Sequence, residues 1–357
     1  MAEAAPALLL YEQSSQHRHW QFTAEQLLIK RQHVNTEGVA QTLAALKMEN
    51  QLKLSTLPES IITPELEESQ CISWTEQLEY CRFYEGKIID YCKFFGFDKT
   101  VQATAIVFFK RFYLNNTVMD YDPKIILMTC LFLSTKVENS LMSLDEFLSK
   151  VPKSPDASVM VDLEFTLSKG LKFEYFVHHP YWPLHGFFLD LQTYIQSSQP
   201  RTSHVDLTKR LYAVYNQASS LITSSLISDI SFIYMPSQIA LAAIKETGSH
   251  VTVIAPIIDA FISDRFQNES PTRIKGIFEL LELIRADLRG VKELVVDKSI
   301  AAAVAFKLKT CSNPEFDSSS CLFLMRKKEE EQAAESKRLK KAEKAKASRD
   351  QLATIVN

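Results

Sequence analysis

Apolar residues recur at intervals of three and four along most of the chain, and this spacing predicts a protein built from helices. The densest apolar stretch, from Ile125 to Val137, is apolar or small at almost every position. A helix of this composition is buried on nearly all sides, so we expect it at the centre of a helical bundle. Asp122 supplies an N-cap and Pro123 a first helical residue. Lys136 and Glu138 emerge at the other end, where such side chains usually face solvent.

The pattern predicts five helical segments in each half of the chain. In the first half they span about 65–95, 99–114, 123–138, a short segment from Ser143, and 155–171. In the second half they span 183–196, 205–226, 236–247, a stretch at 251–263 interrupted by Pro256, and 271–288. Tyr-x-Pro opens the central, small-residue-rich helix of each set, at Pro123 and at Pro236. Two copies of a five-helix unit are the economical interpretation.

Polar helices flank the two units. An amphipathic helix, broken or kinked near Gly38, is predicted from Thr23 to about Lys47, with a proline-containing linker over 50–64. A further helix runs from Arg289 to about Lys309. Residues 326–350 carry ten Lys/Arg and six Asp/Glu, a net charge of +4, which is typical of a solvated helix or a disordered tail. Nuclear import or an acidic partner is a hypothesis for this tail.

These boundaries divide the all-α chain into four parts, which are an N-terminal arm and helix (1–64), a first repeat (65–177), a second repeat (178–290) and a C-terminal helix with a charged tail (291–357). In the arm, Tyr11, Trp20 and Phe22 are expected to anchor it on the body. Ser14 and Ser15 lie near a basic residue and are candidate phosphorylation sites.

Composition and motifs argue against an enzyme. Among 357 residues there are only eight scattered glycines, and there is no phosphate-binding glycine loop, no HExxH and no GxSxG. The six cysteines form no CxxC pair, so we expect no metal, no cofactor and a reducing compartment.

The N-terminus lacks a basic region before its apolar run, and no stretch is long enough for a membrane span. A net charge of −3 gives no general reason to bind nucleic acid. These observations favour a protein that acts by binding other proteins.

Four segments resemble the cyclin family. They are SSQHRHWQF near the start, FKRFYLNNTVMDYDPKIILMTCLFLSTKVEN in the first unit, VHHPYWPLHGFFLDL at the boundary between the units, and YMPSQIALAAI in the second. The resemblance implies two tandem cyclin boxes with flanking helices. Two features depart from many cyclins: Asn139 replaces a second acidic residue after Glu138, and YEGKIIDYC lacks the Arg-x-x-Leu substrate-docking pattern.

The resemblance also implies a kinase-binding site. In cyclins, a lysine at the end of the third helix of the first box and a glutamate early in the fifth grip the partner kinase beside its C-helix. These positions fall on Lys136 and Glu164, with Glu138 completing the lysine-x-glutamate end of the third helix. Phe173 matches the aromatic residue at the end of the fifth helix, which packs on the kinase.

The segments are most similar to cyclins that regulate the CDK-activating kinase. The implied partners are that kinase, its RING-finger assembly factor and the core of transcription factor IIH, in the nucleus. The implied substrates are CDK activation loops and the C-terminal domain of RNA polymerase II. Alternatives are a cyclin C-like transcriptional cyclin, a transcription factor IIB-like core, which would need a zinc ribbon and a basic body, and a helical hydrolase without a recognisable motif.

Overall fold

The computed structural model describes residues 10–56, 66–151, 155–294 and 297–356, which form α-helices and short 3-10 turns without any strand. The N-terminal flank holds α1 (Ser15–Trp20) and α2 (Ala24–Thr56). The first repeat holds α3 (Trp74–Phe95), α4 (Lys99–Tyr113), α5 (Pro123–Val137), α6 (Leu144–Lys150) and α7 (Ala157–Gly170). The second holds α8 (Tyr181–Ser198), α9 (His204–Ser225), α10 (Ile230–Ile233), α11 (Pro236–Gly248), α12 (Ala255–Arg265) and α13 (Pro271–Gly290). The C-terminal flank holds α14 (Lys298–Cys311) and α15 (Cys321–Val356). The predicted all-α fold with two helical repeats is therefore confirmed, and the second repeat holds the short α10 in addition to its five predicted helices.

Helix α5 lies at the centre of the first repeat, as predicted. The Asp122 side chain accepts a hydrogen bond from the Lys124 backbone N–H (2.9 Å), and Pro123 occupies the first turn. All but four of its fifteen residues are buried. Helix α11 opens on Pro236 and takes the same central place in the second repeat, packed against α8, α9 and α13.

Several expectations about helix bounds are wrong, among them the start of α3, which was predicted at residue 65 and lies at Trp74. Helix α2 runs unbroken through Gly38 to Thr56, so residues 50–56 of the predicted linker are helical, and 57–64 lie outside the described residues. Gly38 instead permits close packing, since an added Cβ would lie 2.2 Å from the Thr117 Cγ2. Pro256 lies in the first turn of α12, where the proline needs no N–H partner, so it starts that helix instead of interrupting it.

The N-terminal arm is anchored by aromatic residues, as predicted. Trp20 is 2% exposed and packs with Leu27, Leu114 and Phe232, and Phe22 closes this small cluster. The Phe22 N–H also donates to the Phe232 carbonyl (2.8 Å). The arm therefore contacts both repeats.

The cysteines and the possibility of a membrane-spanning helix complete the description of the fold. All six cysteines lie within the described residues and are free thiols. Among the described helices none is long and apolar enough to cross a membrane.

Candidate functional site

Lys136 and Glu164 lie together on the surface of the first repeat. Lys136 ends α5 and Glu164 lies in α7, and the two helices pack side by side. The Lys136 Nζ donates to both carboxylate oxygens of Glu164, at 2.7 and 2.8 Å. It also lies 4.4 Å from the centre of the Phe132 ring. The side chains are 40% and 23% exposed, so an incoming partner can reach both charges.

An exposed apolar strip runs beside this pair along α7. Phe165 and Phe173 are each more than half exposed, with ring centres 6.3 Å apart. Val161 lies one helical turn before Phe165 and is also exposed. Exposed apolar side chains of this size next to paired charges are typical of a protein–protein interface. The structure thus pairs Lys136 with Glu164, and it places Phe173 against Phe165, the residue that follows Glu164 in α7.

Both helices of this face end in the same backbone motif. The Ser140 N–H donates to the Thr135 carbonyl (2.8 Å) and the Asn139 N–H to the Lys136 carbonyl (3.4 Å). In α7, the Phe173 N–H donates to the Ser168 carbonyl and the Lys172 N–H to the Lys169 carbonyl, both at 2.9 Å. These are Schellman endings, which usually place glycine in the left-handed position. Here Asn139, Lys172 and Phe173 hold φ values of 56°, 56° and 58°.

Glu138 lies elsewhere than the other predicted residues. Its Oε1 accepts a hydrogen bond from the Thr104 hydroxyl (2.5 Å), and that hydroxyl is 2.7 Å from the His179 Nε2. Burial, together with the positive charge of Arg111, lowers the pKa of His179 to about 3. The half-buried Glu138 carboxylate is therefore hydrogen-bonded to Thr104 and not paired with Lys136. In the sequence, the only signal for Thr104 was its polar side chain within an apolar helix.

Glu174, directly after Phe173, holds the N-terminal arm in place. Its carboxylate is 2.6 Å from the His19 Nδ1 and accepts from the Trp20 indole N–H, also at 2.6 Å. Arg111, which is 1% exposed, stacks 4.9 Å from the Trp20 ring and donates to the Glu174 carbonyl. Burial lowers the pKa of Arg111 to about 10. The signal in the sequence was an arginine inside the apolar α4.

A second buried charge cluster joins α2 to the repeats. Arg31 donates to both oxygens of Asp229, at 2.8 and 2.6 Å. Burial opposes ionisation of Asp229, but the Arg31 hydrogen bonds and the charges of Lys110 and Arg82 lower its pKa to about 2. Lys110 also pairs with Glu85 at 3.0 Å, where burial raises the pKa of that carboxyl.

The candidate phosphorylation sites lie at the start of α1. The Ser14 hydroxyl donates to the Tyr11 carbonyl (2.6 Å) and accepts from the His17 N–H (3.2 Å), so Ser14 is the N-cap. Ser15 is the first helical residue and is half-buried. Phosphorylation at either residue stays a prediction. In the part of the chain that the structure describes, no group of three or more His, Cys, Asp or Glu side chains is placed to hold a metal ion.

Comparisons with known proteins identify the family. Residues 59–175 match the family model "Cyclin, N-terminal domain", and residues 179–295 match "Cyclin C-terminal domain". The chain is 32% identical to cyclin mcs2 of Schizosaccharomyces pombe, over 93% of this chain and 94% of the relative. It is 30% identical to cyclin-H of Xenopus laevis, over 67% and 69%.

Two solved structures are similar over most of the chain. One is a chain of the CAK complex of Chaetomium thermophilum bound to ATP-gamma-S, with a TM-score of 0.69, 26% identity and coverage of 90% of this chain and 94% of that one. The other is a chain of the yeast TFIIK (Kin28/Ccl1/Tfb3) complex, with a TM-score of 0.56, 28% identity and coverage of 78% and 100%. The earlier resemblance is confirmed, and this chain belongs to the cyclin family, in the group of cyclin H.

Proposed function

We propose that this chain is the non-catalytic regulatory subunit that binds and activates a cyclin-dependent kinase of the CDK-activating type. One observation carries the proposal. The exposed Lys136–Glu164 pair joins two packed helices of the first repeat, and the exposed rings of Phe165 and Phe173 follow Glu164 along the chain. Similarity over both repeats to a chain of a solved CAK complex supports the same function.

The physical role of this face is to hold a kinase helix inward. A kinase is active only when the glutamate of its C-helix reaches the lysine that binds ATP, so a protein that fixes the C-helix completes the catalytic site. The apolar strip supplies buried area, and the two charges fix register and orientation more than affinity. Because Lys136 and Glu164 already pair with each other, both are held in place before the kinase arrives.

The proposed assembly follows the relatives. The yeast complex contains a kinase and a third chain, Tfb3, beside its cyclin. We extend this to a RING-finger assembly factor for the present chain and to the core of transcription factor IIH. The substrates would be CDK activation loops and the C-terminal repeats of RNA polymerase II, and the site of action the nucleus.

The test is phosphorylation of a polymerase C-terminal repeat peptide by the purified CDK-activating catalytic subunit, with and without this chain. We expect strong stimulation by the wild-type chain. The same assay with the kinases of cyclin C tests the runner-up function. Stimulation only of those kinases would overturn the assignment to the CDK-activating kinase.

A charge exchange tests the face itself. Glu164→Lys should weaken kinase association by about 2 kcal/mol, the scale for reversing one partner of a charged interface pair. The double variant Lys136→Glu/Glu164→Lys restores an ion pair within this chain but presents both charges to the kinase in reversed places. We therefore expect it to stay inactive. Recovery of kinase stimulation by the double variant would mean that the pair only stabilises the first repeat.

A further inference from the structure

A chain of hydrogen bonds links the C-terminal end of α5 to the start of the second repeat. Thr104, fully buried in α4, lies 2.5 Å from the Glu138 Oε1 and 2.7 Å from the His179 Nε2. Glu138 is the C-cap of α5. His179, which is 6% exposed, lies in the segment that connects α7 to α8. Three elements therefore meet at one hydroxyl group.

The direction of these hydrogen bonds follows from the donors present. A threonine hydroxyl carries one proton, and an ionised carboxylate can only accept. The Thr104 O–H therefore donates to Glu138, and its oxygen accepts from the Nε2–H of a neutral His179. Two linked hydrogen bonds that end on a charged acceptor are stronger than two separate neutral hydrogen bonds, because each donor polarises the next.

Glu138 lies two residues after Lys136 and closes the last turn of α5. The Glu138 N–H donates to the Ser134 carbonyl (2.9 Å), and the Lys136 carbonyl accepts from the Asn139 N–H. A displacement of the Glu138 side chain therefore also moves the last turn of α5, which carries the Lys136 ammonium group. The position of that turn relative to the second repeat depends on the hydrogen bond between Thr104 and His179.

We propose that Thr104 and His179 are positioning residues for the kinase-binding face, acting through Glu138 on the last turn of α5. The inference rests on the proposed function. It also changes the role of Glu138, which was predicted to contact the kinase and here acts from inside the protein. The second repeat would then contribute to activation without touching the C-helix.

The first test compares two substitutions of Thr104. Thr104→Val keeps the shape and removes the hydroxyl, and Thr104→Ser keeps the hydroxyl. We expect kinase affinity to fall about tenfold for valine and to stay within about twofold for serine, since a hydrogen bond to a charged group is lost only in the first. Thr247→Val is the matched control, because Thr247 is a buried threonine of α11 that donates only to backbone carbonyls. It should lower the unfolding temperature and leave the affinity unchanged.

His179→Phe is the second variant, in case Thr104→Val does not fold. It removes the outer donor but keeps the Thr104–Glu138 hydrogen bond, so we expect a loss of affinity of about threefold. All affinities are measured well below the unfolding temperature of each variant. Unchanged affinity for both Thr104→Val and His179→Phe would overturn the proposal.

A double-mutant cycle separates positioning from direct contact. If Glu138 acts through Thr104, Thr104→Val/Glu138→Ala should bind the kinase no more weakly than the worse single variant. Additive losses would instead mean that Glu138 contacts the kinase by itself. Failure of the wild-type chain to bind any kinase would overturn the proposed function, and binding of the wild type with unaffected variants would overturn only this inference.

Discussion

Residues other than glycine with left-handed backbone lie at the ends of the two helices for which we propose kinase binding. Within the described ranges they are Asn139, Lys172 and Phe173, at the ends of the two helices that carry Lys136 and Glu164. Such a conformation costs about 1 kcal/mol for a residue with a Cβ. The Schellman hydrogen bonds offset part of this cost, and the strained ends fix where each helix stops.

Asn139 offers a test at this scale. Asn139→Val should lower the free energy of unfolding by about 1 to 2 kcal/mol, because a β-branched side chain fits the left-handed region poorly. Asn139→Gly should leave it nearly unchanged, since glycine adopts a φ of 56° freely but also gains freedom in the unfolded chain. Urea unfolding of both variants checks this. Equal stability of the two would show that the left-handed conformation is not retained in solution.

At the scale of elements, α2 is the unusual component. It is a 33-residue helix that lies across both repeats, held by Arg31 on Asp229 and by the close approach of Gly38 to Thr117. The Asn35 amide also donates to the Ile72 carbonyl (2.9 Å), just before α3. The helix also buries one side on the body, where Leu27, Val39, Ala45 and Leu46 are each less than a tenth exposed, and the polar contacts add to that packing.

Two glycines in helix interiors give a matched pair. Gly38→Ala places a Cβ 2.2 Å from the buried Thr117 side chain, so we expect a loss of about 1 to 3 kcal/mol in stability. Gly86→Ala in α3 meets nothing within 4 Å and should gain about 0.5 to 1 kcal/mol from the better helix propensity of alanine. Thermal unfolding of the two variants measures both the expected loss and the expected gain in stability. Stabilisation by both substitutions would contradict the packing of α2 on Thr117.

The Arg31–Asp229 pair predicts a pH dependence. The pKa of Asp229 falls from 3.8 to about 2 on folding, so its contribution is present above pH 3.8 and is lost as the pH falls through 2. A shift of this size corresponds to about 2 kcal/mol of stability at neutral pH. Asp229→Asn mimics the protonated carboxyl.

The stability difference between wild type and Asp229→Asn is the quantity to measure. It should be largest at pH 7 and shrink as the pH falls from 4 towards 2, in denaturant titrations of both proteins. A difference that stays constant over this range would mean that Asp229 gains nothing from its charged partners.

At the scale of the whole molecule, the N- and C-terminal helices hold each other. The Glu49 carboxylate, near the end of α2, accepts from the Cys321 and Leu322 N–H groups at the start of α15, at 3.1 and 2.8 Å. Lys307 of α14 donates to both oxygens of Glu76. Helix α14 thus packs on α3 of the first repeat, and α15 packs on α2. The described side chains from 326 to 344 are all exposed.

This arrangement predicts two opposite outcomes. Removing residues 329–357 should shift the unfolding temperature by no more than about 2 °C, because the described side chains of this segment, at 329–341 and 343–344, are exposed and contribute little to stability. Glu49→Ala should cost about 1 to 3 kcal/mol, since two N–H groups at the start of α15 lose their acceptor, and Glu49→Gln should cost less because one acceptor oxygen remains. Calorimetric scans of the three proteins decide this. A large loss on truncation would mean that the tail packs on the body.

Local patterns in the chain were enough to predict most of the helices, the burial of α5 and the presence of two repeats. Periodicity, caps such as Asp122, and prolines at helix starts act over a few neighbouring residues, so they can be recognised without knowing the fold. The residue types at Lys136, Glu164 and Phe173, together with the resemblance to cyclins, were enough to predict a binding face.

The contacts that those residues make depend on the packing of helices that are distant along the chain. The Lys136–Glu164 pair joins residues 28 apart, and Arg31 reaches Asp229 across 198 residues. Gly38 looked like a break because its neighbour Thr117 was unknown, and Glu138 looked solvent-exposed because Thr104 and His179 come from other elements. Contacts between distant segments depend on how whole helices pack, and no local pattern encodes that packing.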